Sequence, residues 1–431
     1  IHQQLETPKL FCSCPSTFQD TRNGEIVRKL RAVAGELGDL DAAALQEFLK
    51  NKEFHYLIYP HESCEVELDE EPPHKLNQQT LDITLSVATL LECDIPDEIH
   101  FMRKQVIDGS STTGFQRTAI VGLNGTLETP SGKVGITNLS LEEDASQILE
   151  RQDNSVHYGL NRLYIPLIEI GTTPDIRSPE HAREVAAKLG MILRSTGQVR
   201  RGLGTIRQDV NISISKGARV ELKGAQDLSM IPKYVENEVL RQLNLLKIRD
   251  ELKSKKFRPP KPILRDASHI FGKAQSRITR GKKTYSMRIP GFAGYLKSRI
   301  TPTRTLGSEI ASYVRARTGA RGFIHNDEVL SKYGLEKHFK ELEAHHKAGP
   351  GDTLIIITGD RGLAKKTFEA ISERLEQLLR GVPEETRRAL ENGDSEFMRP
   401  LPGAARLYPE TDIPPITITP GKRSRIRKNL P

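Results

Sequence analysis

The densest group of acidic residues, Glu142-Glu143-Asp144, lies at the end of a predicted strand, and Glu169 and Asp209 follow on later predicted strands. Carboxylate oxygens held at strand ends are the hard ligands that Mg²⁺ prefers, and Mg²⁺ neutralises phosphate during phosphoryl transfer. For any one of these acids a solvated turn is the simpler interpretation. Glu169 is the exception, because a charge within an otherwise apolar strand needs a partner or a metal.

A second candidate site is the loop Ile107–Gly114, which is rich in small residues and flanked by Arg103, Lys104 and Arg117. Small residues let backbone N–H groups approach a phosphate, and the flanking cations would pair with it. An ordinary polar loop explains the composition equally well. The sequence contains no Walker A string and no kinase His-Arg-Asp loop, so ATP would need an unrelated site.

The four cysteines cannot form a disulfide framework in a chain of 431 residues, which favours a reducing compartment and a cytoplasmic location. Cys12 and Cys14 have the spacing of half a zinc site, whereas Cys64 and Cys93 stand alone. Inert thiols are the favoured interpretation, and zinc binding by Cys12 and Cys14 stays open.

The elements that must position these residues are helices and antiparallel strands, which predicts an α+β fold. Between Arg117 and Leu141 the pattern predicts hairpins around a Pro130-Ser131-Gly132 turn, and Ser178 with Pro179 predicts a helix start. The other predicted elements are strands over Leu163–Ile170, Val210–Ile214, Val220–Leu222 and Thr353–Thr358, and helices over Leu81–Leu91, Pro232–Lys253, Leu306–Arg317 and Lys366–Arg380.

Composition excludes a wholly disordered chain and a membrane-spanning one. The chain is 36% hydrophobic and 28% charged, and it contains no uncharged apolar run of about 18 residues. Its net charge of +8 favours an acidic partner, but tryptophan is absent and only 5% of residues are aromatic. A nucleic acid would therefore be held by its backbone and shape rather than by stacked bases.

Two segments mark boundaries along the chain. Phe257–Pro262 contains three prolines, and the signals after it predict a separate α/β domain of about 130 residues. The last eleven residues, Gly421–Pro431, hold five lysine and arginine residues and no acid, which predicts an exposed basic linker.

A set of strings spread over nearly the whole chain occurs in the same order in one protein family. The strings are Ile1–Pro15, Arg103–Arg117, Leu141–Asp144, Pro166–Ile170, Pro174–Pro179, Gln208–Ser213, Val220–Gly224 and Tyr408–Pro415. They resemble the E subunit of archaeal glutamyl-tRNA(Gln) amidotransferases, in the GatB/GatE family. Many are shared with the bacterial B subunit, but the segment Asp266–Met398 is similar to the insertion domain of bacterial-type aspartyl-tRNA synthetases and favours the archaeal subunit.

The resemblance implies an antiparallel-sheet cradle domain at 1–265 and an inserted aspartyl-tRNA-synthetase-like α/β domain at 266–398. The chain would return to the cradle at 399–420 and end in a basic linker at 421–431. It also implies that the family continues beyond Pro431 into a helical module and a tail that grips tRNA.

The activity implied by the resemblance is ATP-dependent conversion of Glu-tRNA(Gln) to Gln-tRNA(Gln) with Mg²⁺. The γ-carboxylate of the tRNA-bound glutamate takes the γ-phosphate of ATP, and ammonia then displaces phosphate. A carboxylate resists ammonia, whereas an acyl phosphate offers a good leaving group. The implied partner is an asparaginase-like D subunit, which hydrolyses glutamine and delivers ammonia within a heterotetramer. This chain shows no glutaminase triad, which agrees with that division.

The matching strings also imply roles for individual residues. His2, Glu143 and Glu169 correspond to the divalent-metal ligands and form the expected catalytic group, with Glu142 and Asp144 as near neighbours. The family carries a further acidic residue just ahead of Ile1-His2, outside this chain.

Three residues, Lys104, Ser110 and Lys223, lie in strings that correspond to the nucleotide side of the site, and they are expected to contact ATP phosphates. Asp209 is expected to support a second cation. Two alternatives remain: a bacterial-type B subunit that pairs with a Ser-Lys amidase, and a non-catalytic tRNA-binding assembly protein. Hydrolysis of ATP that depends on Glu-tRNA would exclude the second.

Overall fold

The structure is a computed structural model that describes residues 1–19, 21–29, 45, 48–49, 51–106, 108–152, 154–401 and 407–431. It contains helices and mostly antiparallel sheets, so the α+β fold class is confirmed. The helices are α1 Gln78–Leu90, α2 Pro179–Ser195, α3 Ile231–Ser254, α4 Ser268–Phe271, α5 Leu306–Thr318, α6 Glu336–His346, α7 Arg361–Arg380 and α8 Pro420–Lys428. None of these helices is both long and apolar enough to cross a membrane.

The strands are short except for one long hairpin. In the first half of the chain they are β1 His2–Gln4, β2 Gly24–Arg28, β3 Glu53–Ile58, β4 Glu98–Ile99, β5 Phe101–Gln105, β6 Phe115–Thr129, β7 Gly132–Glu143, β8 Gln147–Arg151, β9 Ser155–Gly159, β10 Pro166–Thr172, β11 Ile206–Arg207 and β12 Asp209–Ile212. The remaining strands are β13 Val220–Lys223, β14 Arg265–Asp266, β15 Thr284–Ile289, β16 Ile324–His325, β17 Thr353–Thr358, β18 Glu385–Ala389, β19 Ser395–Pro400, β20 Leu407–Pro409 and β21 Ile416–Thr417.

Contacts divide the chain into two compact units. The first comprises Ile1–Asp209, Gln226–Pro232 and Pro402–Pro431, and the second comprises Val210–Ala225 and Lys233–Leu401. The domain boundaries expected from the sequence lie between residues 265 and 266 and between residues 398 and 399. The limits of the two units differ from both. Insertion of an aspartyl-tRNA-synthetase-like domain stays a prediction.

The first unit is built on a seven-stranded antiparallel sheet in the order β11-β1-β10-β7-β6-β5-β20. Side chains alternate between the two faces of a strand, so each face can be assigned from the register. One face carries apolar residues such as Leu141 and Ile168, which share a core cluster with Leu85 of α1 and Leu189 of α2. The opposite face is polar, and we call it the site face.

The hairpin of β6 and β7 contains one irregularity that matters for the site. Thr118 pairs with Glu142 and Ile120 with Ser140, but Gly122 pairs with Leu139, so β6 has one additional residue at Val121. Such a bulge changes which face of the sheet the following residues occupy. The predicted hairpin and its Pro130-Ser131-Gly132 turn are otherwise confirmed.

The second unit contains two four-stranded sheets, β14-β15-β17-β16 and β12-β13-β18-β19. Its apolar core includes Met287 of β15, Ile355 of β17 and Phe368 of α7. Beside this core lies a buried network of charges, in which Arg387 contacts both Glu309 (2.7 Å) and Glu385. A buried ion requires such pairing, because leaving one charge without its partner costs several kcal/mol (about 3–5).

Most predicted elements are confirmed with shifted ends. The helix start at Ser178 is a side-chain cap that accepts a hydrogen bond from the backbone N–H of His181 (3.1 Å). The predicted basic linker at Gly421–Pro431 is wrong, because Pro420–Lys428 forms α8, with Thr419 as its cap. Ile426 of this helix is buried in the core of the first unit.

Candidate functional site

The site face of the first unit gathers polar side chains from six neighbouring strands. His2 of β1 lies opposite Glu169 of β10 on one side and Arg207 of β11 on the other. In the same way, Glu142 of β7 lies opposite Thr118 of β6. Residues that oppose each other on paired strands point to the same face, so the register alone brings this set together. β5 adds Lys104, opposite Gln116.

Three side chains of this set form a group that could hold a cation. One ligand atom each from His2, Glu142 and Glu169 lies within 4.8 Å of the other two. His2 Nε2 lies 3.2 Å from Glu169 Oε1. Lys104 Nζ lies 3.3 Å from Glu142 Oε1 and 3.8 Å from Glu169 Oε2, so the ammonium contacts both acids.

The two carboxyl groups of the group respond differently to their surroundings. Burial raises the pKa of Glu142, whose side chain is only 2% exposed, and Lys104 opposes the shift only in part. Burial would also raise the pKa of Glu169, but the hydrogen bond from His2 and the charge of Lys104 outweigh it and hold this pKa low. Two acids this close favour one shared proton unless a further cation is present.

The donor set fits a divalent cation. Two carboxylates and one imidazole provide oxygen and nitrogen ligands that Mg²⁺, Mn²⁺ and similar ions accept. The remaining contacts hold Glu142 in place, because Thr118 Oγ1 (2.7 Å) and Gln116 Nε2 (3.2 Å) donate hydrogen bonds to its two oxygens. Burial of the Glu142 carboxyl group raises its pKa, and a bound cation would neutralise the negative charge that burial disfavours.

Glu143, the acid expected among the metal ligands, is not in this group. It lies on the opposite face of β7, where its carboxylate accepts hydrogen bonds from the backbone N–H (2.9 Å) and the guanidinium (3.2 Å) of Arg117. Arg117 also contacts Glu410 (2.9 Å), which in turn pairs with Arg103 (2.7 Å). Alternation along the strand explains this difference from the expected set, since Glu142 and Glu143 must point to opposite faces.

Asp144 lies beside the group and ties neighbouring strands together. Its carboxylate accepts hydrogen bonds from Gln4 Nε2 and from Arg207 Nη2, both at 2.6 Å. Burial would raise the pKa of Asp144, but the charges of Arg207 and Arg162 outweigh burial and hold it below the ordinary value. These bonds fix β1, which carries His2, and the neighbouring strand β11 beside the group.

Ser110, expected on the nucleotide side, lies in a turn-rich loop. Its backbone N–H (3.1 Å) and its hydroxyl (2.7 Å) both donate to the Asp108 carboxylate. Gly109 adopts a φ of +79°, and a Cβ there would lie 2.3 Å from the Phe54 ring. The loop therefore needs glycine at position 109. The hydroxyl of Ser110 is already hydrogen-bonded to Asp108 of the same loop.

The other two predicted residues are placed outside the group. Asp209 begins β12, two residues after Arg207, and its carboxylate is not among the three clustered ligand atoms. Lys223 belongs to the second unit, where its ammonium lies 2.5 Å from Glu221 Oε1. The roles of both residues stay predictions.

The cysteines form a second candidate metal group in the first unit. Ligand atoms of Cys12, Cys14, Cys64 and Glu67 lie within 4.8 Å of one another. Cys64, which seemed isolated in sequence, therefore completes the set begun by Cys12 and Cys14. Thiolates and carboxylates are both ligands of zinc, and four is the number of ligands in a structural zinc site. Lys9 Nζ lies 2.8 Å from Glu67 in this structure.

Sequence reasoning missed four polar residues around the group: Gln4, Gln116, Thr118 and Arg207. Gln116 and Thr118 alternate with the buried Arg117 and Ala119, so strand periodicity is a signal that could have placed them on the site face. Gln4 and Arg207 offer no such signal, because β1 and β11 have only three and two residues.

Comparison with known proteins gives one consistent result. Residues 1–423 match the family model described as the GatB/GatE catalytic domain. Similar proteins include the E subunit of the glutamyl-tRNA(Gln) amidotransferase of Methanocaldococcus jannaschii, which is 50% identical over 440 residues covering 100% of this chain and 70% of that protein. The E subunits of Thermococcus gammatolerans (47% identical; 100% and 69% covered) and Archaeoglobus fulgidus (48%; 97% and 68%) are similar as well.

Proposed function

The chain belongs to the GatB/GatE family, whose similar members are glutamyl-tRNA(Gln) amidotransferase subunits, and from this premise we propose the following reaction. The chain is an amidotransferase enzyme that acts on Glu-tRNA(Gln). It uses ATP to phosphorylate the γ-carboxylate of the tRNA-bound glutamate, and ammonia then displaces phosphate to give Gln-tRNA(Gln).

The observation that carries the proposal is the clustering of His2, Glu142 and Glu169 next to Lys104. We propose these three as the ligands of a divalent cation, with Glu142 in the place that the resemblance assigned to Glu143. A bound Mg²⁺ would supply positive charge to the phosphate oxygens of ATP. Glu142 is held for this role by Thr118 and Gln116.

Lys104 is proposed to bind and orient phosphate. Its ammonium lies between the two carboxylates and its side chain is 31% exposed, so a phosphate can reach it from solvent. A cation held by Glu142 and Glu169 would neutralise both carboxylates, and the ammonium of Lys104 could then pair with a phosphate. The chain's own residues thus position the donor and stabilise charge, which is most of what phosphoryl transfer requires.

The ammonia source is proposed to be an asparaginase-like D subunit that assembles with this chain into a heterotetramer. This part rests on the family alone. Because the partner would only supply ammonia, we expect ammonium salts to replace both glutamine and the partner when this chain is assayed alone.

The test is an assay of this chain with Glu-tRNA(Gln), ATP, Mg²⁺ and ammonium chloride, followed by formation of ADP and Gln-tRNA(Gln). Glu142→Gln and Glu169→Gln should each lower the rate of ADP formation about 100-fold or more. Glu128→Gln is the matched control, because Glu128 lies on the same hairpin with its side chain 74% exposed. Full activity of both variants at the proposed ligands would refute the site, and ATP hydrolysis independent of Glu-tRNA would refute the reaction.

A further inference from the structure

The second unit contains a long segment without acids. Residues 267–308 hold nine lysine and arginine residues and no aspartate or glutamate over 42 positions. Five of the nine lie in residues 272–283, which we call the basic loop: Lys273, Arg277, Arg280, Lys282 and Lys283, all of them exposed. The sequence therefore concentrates positive charge in one short connection between α4 and β15.

The basic loop is folded onto the unit rather than extended into solvent. The backbone N–H of Gly281 donates to the carbonyl of Gly272 (3.5 Å), which brings the two ends of the loop together. Ala274 and Thr279 between them are 1% and 0% exposed. These buried anchors point inward, so the cations are presented on the outer side of an ordered turn.

Within the part of the chain that the structure describes, the charges of the basic loop are used little: Lys283 acts on Asp266 without forming an ion pair. None of its five cations forms an ion pair or a side-chain hydrogen bond with a residue that the structure describes. The equally basic helix α8 differs, because Lys422 (3.0 Å) and Arg425 (2.7 Å) both pair with Asp82, and Arg423 pairs with Asp97 (2.6 Å). Unpaired like charges held close together repel, which is a cost that a bound polyanion removes.

We propose that the basic loop binds the phosphate backbone of the tRNA substrate. The loop exposes one large apolar side chain, Ile278 at 37%, and no aromatic ring. Protein interfaces need an apolar core, whereas phosphate contacts need only lysine and arginine. An RNA backbone therefore fits this surface better than an acidic protein does. The inference rests on the proposed function for the identity of the RNA.

The test measures the dependence of tRNA binding on salt. In Arg277→Gln/Arg280→Gln/Lys282→Gln, the slope of log Kd against log salt should fall by about 3, one for each cation that no longer pairs with a phosphate. Binding at about 100 mM salt should weaken by about 10- to 100-fold. The matched control is Lys365→Gln/Lys366→Gln/Arg380→Gln, which removes the same charge from exposed positions of α7 in the same unit. Should the triple variant not fold, each single variant should lower the slope by about 1.

The outcomes separate this inference from the proposed function. A slope unchanged in the basic-loop variant, or lowered equally in the α7 control, would overturn the inference while leaving the reaction intact. Normal kcat with a raised KM for Glu-tRNA would support it. A wild type that binds tRNA through the basic loop but never forms Gln-tRNA would refute the reaction and keep the inference. Loss of binding to the D subunit without any change in tRNA binding would also overturn it.

Discussion

The neighbouring acids Glu142 and Glu143 allow one substitution to be made in two environments. Glu142→Gln changes the group with His2 and Glu169, whereas Glu143→Gln changes an ion pair with Arg117 on the opposite face. We expect the first variant to lose activity and keep its stability. We expect the second to lose stability and keep its activity per folded molecule.

The magnitudes follow from the contacts. Glutamine at 142 keeps an oxygen that can accept the hydrogen bond from Thr118 and leaves the partly exposed Lys104 with Glu169, so little stability is lost, about 1 kcal/mol or less. The kcat/KM should fall about 100- to 1000-fold, as for removal of one preorganised electrostatic group. Glutamine at 143 leaves the buried Arg117 with Glu410 alone. This should cost about 3 kcal/mol, near the lower end for a broken buried pair, and lower the Tm by about 6–12 °C.

Two measurements on the same preparations decide the matter. Thermal unfolding in the absence of divalent cations gives the Tm, and single-turnover ADP formation with Glu-tRNA gives activity corrected for the folded fraction. An inactive Glu143→Gln with an unchanged Tm, beside an active Glu142→Gln, would reverse the assignment of the two acids. Glu142→Asp is a further control, because it keeps the charge but shortens the reach towards His2 and should recover only part of the activity.

Four other predictions can be checked separately. Protein purified without chelators should contain about one zinc ion per chain by mass spectrometry, and Cys64→Ser should lose it. Glu309→Gln should lower the free energy of unfolding at pH 7 by about 3–5 kcal/mol, measured with urea. The loss should shrink below about pH 4, because the low pKa of Glu309 in the folded chain contributes its full stability only above the pKa of the same group in the unfolded chain. Burial lowers the pKa of His346 to about 4, so Tm should decline as pH falls from about 6.5 towards 4, and less so in His346→Asn. Gly109→Ala should lower Tm, because its Cβ would overlap the Phe54 ring at a positive φ.

The sequence predicted those parts of the fold whose signals are local. Ser178 and Pro179 predicted the start of α2, and the Pro130-Ser131-Gly132 turn predicted the hairpin of β6 and β7. The same kind of signal, Thr419 followed by Pro420, also begins α8, but the basic composition of the following residues concealed it. The basic composition of this segment predicts that most of its side chains are exposed. It does not reveal that one of them, Ile426, is buried.

The candidate site was predicted only in part because it depends on pairing between distant strands. His2, Glu169 and Lys104 were identified by their strings, and the structure brings them together. Choosing Glu142 over Glu143 needs the register of β7, which three consecutive acids do not reveal. The thiol of Cys64 joins those of Cys12 and Cys14 through tertiary folding, and no spacing rule covers a separation of about fifty residues.

The bulge at Val121 has a consequence for how this protein tolerates length changes. Upstream of it, Gln116 and Thr118 face Glu142, and Arg117 faces Glu143. Deleting that single residue would join Ile120 to Gly122, and both would keep their partners Ser140 and Leu139, so the pairs at the site would survive. A second deletion between Thr118 and Ile120, with no bulge left to absorb it, would move Arg117 opposite Glu142 and bring the guanidinium to the wrong acid. We expect natural relatives to tolerate the loss of one residue at this point but not of two.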